Sequence, residues 1–369
     1  MARRLLLLNG LATFGVVLNH ASSWVFIGMF WWTHRYRDVA VPNFDQLGSA
    51  EYYFLRVVEQ LVAFTVPSFL FVSAFFMAFV AGREPLVARW ANAEKRLRTL
   101  LVPYLLWSTL LLLERYSMGQ RYAPAGYLRI YLTGRAAEPY YYIPLLCQYL
   151  LLAPLLIECA KRNWKVLLAV TALVQLTAQG LRYPMYLGAA SPALQAVVAA
   201  TPGWFFPGKV FWFASGLVVG LHLETFQRCA LRYRWHCAAV GALLLPLGVL
   251  EWEILRGGGP TEWIAYYDTA LDSLYAAMII VVVIAFGARW SAFTERVEEV
   301  GRRSYGVYLV HSLVLVYGAR GVYAILPRML EHGVLFFVFL VVTGLGVPLV
   351  AMNVLRNSRL RSAYRYVFG

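Results

Sequence analysis

"LLLLNGLATFGVVLNHASSWVFIGMFWW", residues 5–32, holds no Asp, Glu, Lys or Arg. A helix needs about 20 apolar residues to cross a hydrocarbon core of about 30 Å, so this run is long enough to span. Its one ionisable group is His20. A titratable side chain within a span costs at least a few kcal/mol and by default points to function. The basic start, MARR, resembles a secretory signal, but the apolar run continues to Trp32 without a clear small-residue cleavage site. A retained first helix is therefore expected.

The rest of the chain has the same character. Of 369 residues, 60% are hydrophobic and 14% charged, against roughly 25% charged in soluble domains. Apolar stretches fall at 5–32, 52–81, 99–117, 139–158, 166–182, 206–222, 237–254, 268–288, 304–326 and 333–355. The expectation is an all-α, polytopic membrane protein of about ten transmembrane helices. No internal repeat or separate soluble domain is evident, so residues 1–369 read as a single transmembrane domain.

Charge sets the orientation. Segments 1–4, 82–98, 159–165, 223–236, 289–303 and 356–369 hold 21 of the 33 Lys and Arg residues. Cytoplasmic loops carry such an excess, which predicts both termini in the cytoplasm of a plasma (inner) membrane protein. The net charge of +14 then reflects topology, and nucleic-acid binding is not expected because no basic domain or recognition motif is present. Cys147, Cys159, Cys229 and Cys237 form no CxxC pair and predict reduced thiols, with neither a disulfide framework nor a metal site.

Three stretches carry candidate chemistry. His20 is either a structural histidine bonded to a neighbouring helix or a general base in a water-accessible cavity, since imidazole titrates near working pH. In "AEKRLRTLLVPYLLWS", 93–108, Lys95, Arg96 and Arg98 are either an orientation signal or phosphate ligands, because guanidinium groups bind phosphate bidentately. In "GRRSYGVYLVHSLVL", 301–315, Arg302 and Arg303 end a basic segment and Ser304 is a candidate helix cap. Ser304, Tyr308 and His311 share broadly one helix side, as a polar seam between helices or as part of a site. Further acids, Glu59, Glu251, Glu253, Asp268 and Asp272, lie with Trp252 and Trp263 at intramembrane or outer-edge positions. His34, His222, His236 and His332 are expected to be solvated.

Together these stretches resemble acyltransferase family 3, integral membrane enzymes that O-acylate surface sugars and other acceptors. "LATFGVVLNH" is similar to the family's first helix, where an Arg precedes the His by eleven positions; here that position is Asn9. "VPSFLFVSAFFMA", 66–78, resembles the second helix, keeping Ser73 but placing Ala74 where the family has Gly. "KRLRTLLVPYLLWS" resembles the basic segment before the third helix, and "YYYIPLLCQYLLLAPLL", 140–156, the fourth. "FWFASGLVVG", 211–220, matches an FxxGxxxG pattern, and "SYGVYLVHS", 304–312, a late motif. The resemblance covers nearly the whole chain in order.

It implies transfer of an acyl group, acetyl or succinyl, from cytoplasmic acyl-CoA to a hydroxyl of a carbohydrate or similar acceptor, with no permanently bound cofactor. His20 would be general base or transient acyl carrier, with Ser73 and Tyr305 as possible oxyanion donors. Asn9, Lys95, Arg96, Arg98, Arg302, Arg303, Ser304 and His311 would meet the donor, and Glu59, Glu251 and Asp272 the acceptor. Arg3 or Arg4 would replace the charge missing at Asn9. Two rivals remain: a non-catalytic exporter or flippase of a glycan or lipid-linked intermediate, and an inactive partner in a biosynthetic complex.

Overall fold

The computed structural model describes residues 1–82, 84–259, 261–263, 269–287 and 292–369. Fifteen α-helices follow in order among the described residues: α1 (Ala2–Phe30), α2 (Ala50–Leu61), α3 (Thr65–Ala81), α4 (Leu86–Ser117), α5 (Pro124–Thr133), α6 (Tyr142–Gly180), α7 (Tyr183–Tyr186), α8 (Pro192–Ala199), α9 (Val210–Leu221), α10 (Leu223–Gly257), α11 (Ala270–Phe286), α12 (Ala292–Arg302), α13 (Ser304–Ile325), α14 (Gly333–Asn357) and α15 (Tyr364–Val367). There is no strand among the described residues. Seven helical segments there are long and apolar enough to cross a membrane, and Phe206–Leu221 and Ala270–Phe286 are shorter apolar helices.

The 39-residue α6 is two helices joined at Asn163, whose backbone leaves the helical region at φ −157°, ψ 88°. Asn163 Oδ1 accepts from Val166 N at 3.2 Å, capping the second leg. Tyr149 Oη donates to Phe206 O, and Gln175 Oε1 accepts from Phe211 N. A straight helix would hold residues 149 and 175 about 39 Å apart, yet their partners are five positions apart on one segment. The chain therefore doubles back at Asn163.

α1 is apolar on every side and packs against α2, α3, α11, α12, α13 and α14, as a helix with no solvent face must. Small residues allow the closest approaches. A Cβ on Gly216 would lie 2.2 Å from Phe71 O and one on Gly220 2.8 Å from Phe75 O, so the FxxGxxxG stretch lets the backbones of α9 and α3 meet. Both chain ends pack at one end of the bundle: Gly301 closes on Leu6 O, and Gly369 on the Tyr305 ring.

Several expected boundaries shift. Segments 82–98 and 223–236 are expected to lie outside the spans that start at 99 and 237; instead α4 starts at Leu86 and α10 at Leu223. Ala, Leu, Glu, Lys and Arg in these basic segments favour helix, so each span extends past the apolar core. Segment 289–303 contains α12, whose Val297, Glu298 and Val300 are buried. Stretch 52–81 breaks at Val62–Phe64 into α2 and α3, and Tyr275 Oη donates to the Leu61 carbonyl beside the break at 3.0 Å. Ser304 is the first residue of α13, not its cap; Arg303 occupies that position.

Candidate functional site

The two intramembrane histidines meet. α1 and α13 lie side by side, and the His20 and His311 ring centroids are 5.5 Å apart. His311 is fully buried. Its Nδ1 faces Tyr308 O at 2.7 Å and Val307 O at 3.1 Å. A carbonyl only accepts, so Nδ1 carries the proton and Nε2 presents its lone pair. That Nε2 has no hydrogen-bond partner among the described residues. The backbone of α13 thus fixes one tautomer and leaves a buried acceptor in the His20 neighbourhood.

A tyrosine wall backs this pair. The Tyr308 ring lies 5.9 Å from His311 and 5.7 Å from Tyr142, which is 6.0 Å from Phe69. Tyr308 Oη donates to Pro139 O and Tyr140 Oη to Leu309 O, tying α13 to the start of α6. Tyr305 Oη donates to Leu100 O at 2.5 Å. Its single proton is directed at a helix carbonyl.

Asn9 is the clamp between α1 and the α12–α13 joint. Its Nδ2 donates to Gly301 O at 2.7 Å and to Ser304 Oγ at 2.8 Å. Neither Arg3 nor Arg4 takes the place of an arginine there. Arg3 pairs with Glu298 at 3.0 Å and Glu295 at 3.5 Å, and Arg4 donates to Ile284 O at 2.9 Å. His20, moreover, lies about 25 Å along the helix from Arg3 at 1.5 Å per residue.

The basic residues divide into two groups. Lys95 and Arg96 line a cavity of about 250 Å³ with Met77, Val80, Asn92 and Thr99, and Arg96 reaches Ser73 O at 3.5 Å. Arg98 does not line it; it is 79% exposed and paired with Glu94 on the outer side of α4. Arg302 pairs with Glu299, while Arg303 binds both Glu299 and Asn353. His311 sits two turns into the bundle from them, beside His20. Ser73 is half-buried.

The acids gather on α2, α10 and α11. Arg56 and Glu59 form a buried ion pair, with the Arg56 guanidinium 3.8 Å from the Trp252 ring centroid. Gln60 donates to Asp272 Oδ1 at 3.0 Å, and Asp272 also closes a capping box with Thr269. Glu251 accepts from Tyr183 Oη and Glu253 from Tyr52 Oη, each at 2.5 Å. Asp268 lies outside the described residues. α1 and α2 are antiparallel: Phe26 meets Tyr52 edge to face, and Gly15 faces Val62 and Thr65. Interpolating that register puts Arg56 and Glu59 at the depth of His20. Trp263 lies between Trp252 and the rings of Phe26 and Phe30.

Three parts of this arrangement were not singled out in the sequence. Arg56 pairs with Glu59 at i, i+3, a spacing that was legible. Asn92 and Thr99 join Lys95 and Arg96 on one α4 face, legible once 86–98 is taken as helix. Tyr308 is visible in the sequence, but its meeting with Tyr140 and Tyr142 depends on long-range packing and has no local signal. His34, His222, His236 and His332 are exposed, and the four cysteines are free.

An all-helical, multi-pass membrane protein with a half-buried and a buried histidine paired inside it and a basic cavity toward one end is the class defined so far. The chain belongs to the acyltransferase 3 family, whose description, acyltransferase domain, matches residues 5–353. No curated protein and no solved structure matches it.

Proposed function

We infer that this single-domain protein spans the plasma membrane ten times with both termini in the cytoplasm, and moves an acetyl or succinyl group from cytoplasmic acyl-CoA to a hydroxyl of a carbohydrate or similar acceptor. The count is supported by taking the two legs of α6 as separate spans and adding the two shorter apolar helices to the seven long segments. The observation that carries the chemistry is the His20–His311 pair.

Lys95 and Arg96 hold donor phosphates in the cavity between α3 and α4, where charge-assisted contacts are strongest. Tyr305 is six residues from His311 and bonds Leu100, four residues from Arg96. Axially, the cavity is about 15 Å from the histidines at 1.5 Å per residue. That is the gap the pantetheine arm bridges. At its end the acceptor O–H loses its proton to a histidine Nε2, the oxygen forms a bond to the thioester carbon, and the C–S bond breaks. The proton then returns to the departing CoA thiolate. His20 takes the proton, or first accepts the acyl group on nitrogen. Ser73 stands next to Arg96, so it faces the phosphate end of the donor and not the developing oxyanion. Glu59, Glu251 and Asp272 shape the acceptor side through the helices they join.

The test is His20→Ala in purified, folded protein. Membranes of the producing cell supply the acceptor, with radiolabelled acetyl-CoA and succinyl-CoA as donors, and alkali-labile label is counted. Transfer should fall by roughly 10²-fold or more while CoA binding is retained. Transfer at the wild-type rate would sink the assignment and bring the exporter reading forward.

A further inference from the structure

A larger cavity, about 450 Å³, opens among α3, the second leg of α6, α9, α10 and α11. Its inner wall is apolar: Phe71, Trp212, Val218 and Ile280 are all buried. The one hydroxyl deep in it, Ser215 Oγ, donates to Trp212 O of its own helix at 2.9 Å. Polarity is confined to the rim, where His222, Thr225 and Cys229 are exposed. Such a lining has nothing to orient a polar solute. It does fit a hydrocarbon chain, with space for roughly fifteen groups of ~30 Å³, a water's share of liquid volume.

The rim specifies what such a chain should be attached to. Lys165 Nζ stands 5.7 Å from the Trp164 ring centroid, and Trp164 lines the cavity. Arg228 adjoins Cys229 on the exposed start of α10. Neither cation forms an ion pair among the described residues, and Glu224 is the acid in that first turn. This rim lies at the end of the bundle that carries the chain termini, since Leu221 packs against Gly82 at the end of α3. An apolar slot with unneutralised cations at its mouth fits an anionic amphiphile, and basic sites between helices near a membrane surface recruit anionic headgroups.

We propose that this cavity binds one acyl chain of an anionic phospholipid from the adjacent leaflet, its phosphate held by Lys165 and Arg228. The site is separate from the Lys95–Arg96 cavity, which lies between α3 and α4. A lipid seated there joins the second leg of α6 to α10 and α11, so its occupancy sets how those helices pack.

Cys229 on the rim provides the readout, with exposed Cys159, which does not line the cavity, as internal control. The full-length protein is labelled with a maleimide in detergent, in phosphatidylcholine vesicles and in vesicles containing phosphatidylglycerol, and each cysteine is followed by peptide mass spectrometry. Phosphatidylglycerol should slow Cys229 several-fold more than phosphatidylcholine, with Cys159 equal in both. Lys165→Glu and Arg228→Glu, both surface changes, should each weaken that selective protection about fivefold, the worth of one cation near a charged surface. Val219→Trp, which fills the slot, should abolish it. Equal Cys229 labelling in the two vesicle types would overturn the proposal, as would protection by palmitoyl-CoA but not by phosphatidylglycerol, which would make the occupant a donor chain.

Discussion

Asn9 stands where the family it belongs to usually has arginine, and the structure gives it a mechanical task. Its amide makes two bonds, 2.7 Å to Gly301 O and 2.8 Å to Ser304 Oγ. Asn9→Ala removes both and leaves a carbonyl and a hydroxyl between packed helices. A lost hydrogen bond costs about 0.5–1.5 kcal/mol net, more where the partner stays buried and unsatisfied, so about 2–3 kcal/mol is expected. Asn9→Arg should not restore stability. The neighbouring Gly10 has no room even for a Cβ, which would lie 2.0 Å from Val297 O, so α1 cannot retreat from α12 to admit a longer side chain. Denaturant titration of the purified protein in detergent measures both changes. Ser304→Ala completes a double-mutant cycle, in which coupling of about 1 kcal/mol with Asn9→Ala is expected for bonded neighbours. An Asn9→Ala protein as stable as wild type, with no coupling to Ser304, would refute the clamp.

Other outcomes follow from the site. His311→Asn keeps a donor near the Nδ1 position but removes Nε2; acyl transfer should fall by roughly 10²-fold with the unfolding midpoint little changed, whereas full activity would leave His311 a packing residue. Arg96→Ala should weaken CoA binding in a salt-sensitive way and Arg98→Ala should not, since only the first lines the cavity; equal effects in titrations at low and high salt would erase the distinction. In a background without its four native cysteines, Ser117→Cys should react with an impermeant maleimide added outside intact cells and Ser362→Cys should not. Labelling of position 362 would reverse the proposed orientation.

The membrane class was legible because crossing hydrocarbon demands long apolar runs, and those runs survive in composition alone. What failed at their ends has one cause. Hydropathy locates the bilayer, not the helix, so basic segments such as 86–98 are expected outside the spans although their residues favour helix. Arg98 is likewise grouped by sequence with Lys95 and Arg96, although it does not line their cavity. His20 and His311 were each conspicuous as ionisable groups in apolar surroundings. Their meeting was not legible, since it depends on how α13 docks on α1 across nearly the whole chain. Tyr305 shows the converse limit: a hydroxyl visible in a motif says nothing of which carbonyl already holds its proton.

The arrangement gives a physical reason for putting imidazole at that depth. Water at a thioester would compete with the acceptor, so transfer is favoured where water is scarce; yet a scarce-water site can hold no free charge cheaply. On the proposed mechanism, phosphate-binding cations belong at the membrane edge, the place proposed for Lys95 and Arg96, and a base that is neutral before it acts belongs inside. Histidine meets that requirement with its tautomer set by a backbone carbonyl instead of a buried carboxylate. His311 is held in that way by Val307 and Tyr308. The nearby Arg56 and Glu59, at the same depth, form an ion pair with the guanidinium against the Trp252 ring. Replacing Glu59 by Gln removes the carboxylate that pairs with buried Arg56, and removing one partner of a buried pair costs about 3–5 kcal/mol. Loss of folded protein on Glu59→Gln, recovered by the double change Arg56→Met with Glu59→Leu, would mark the pair as structural; recovered folding without recovered transfer would place it on the acceptor path.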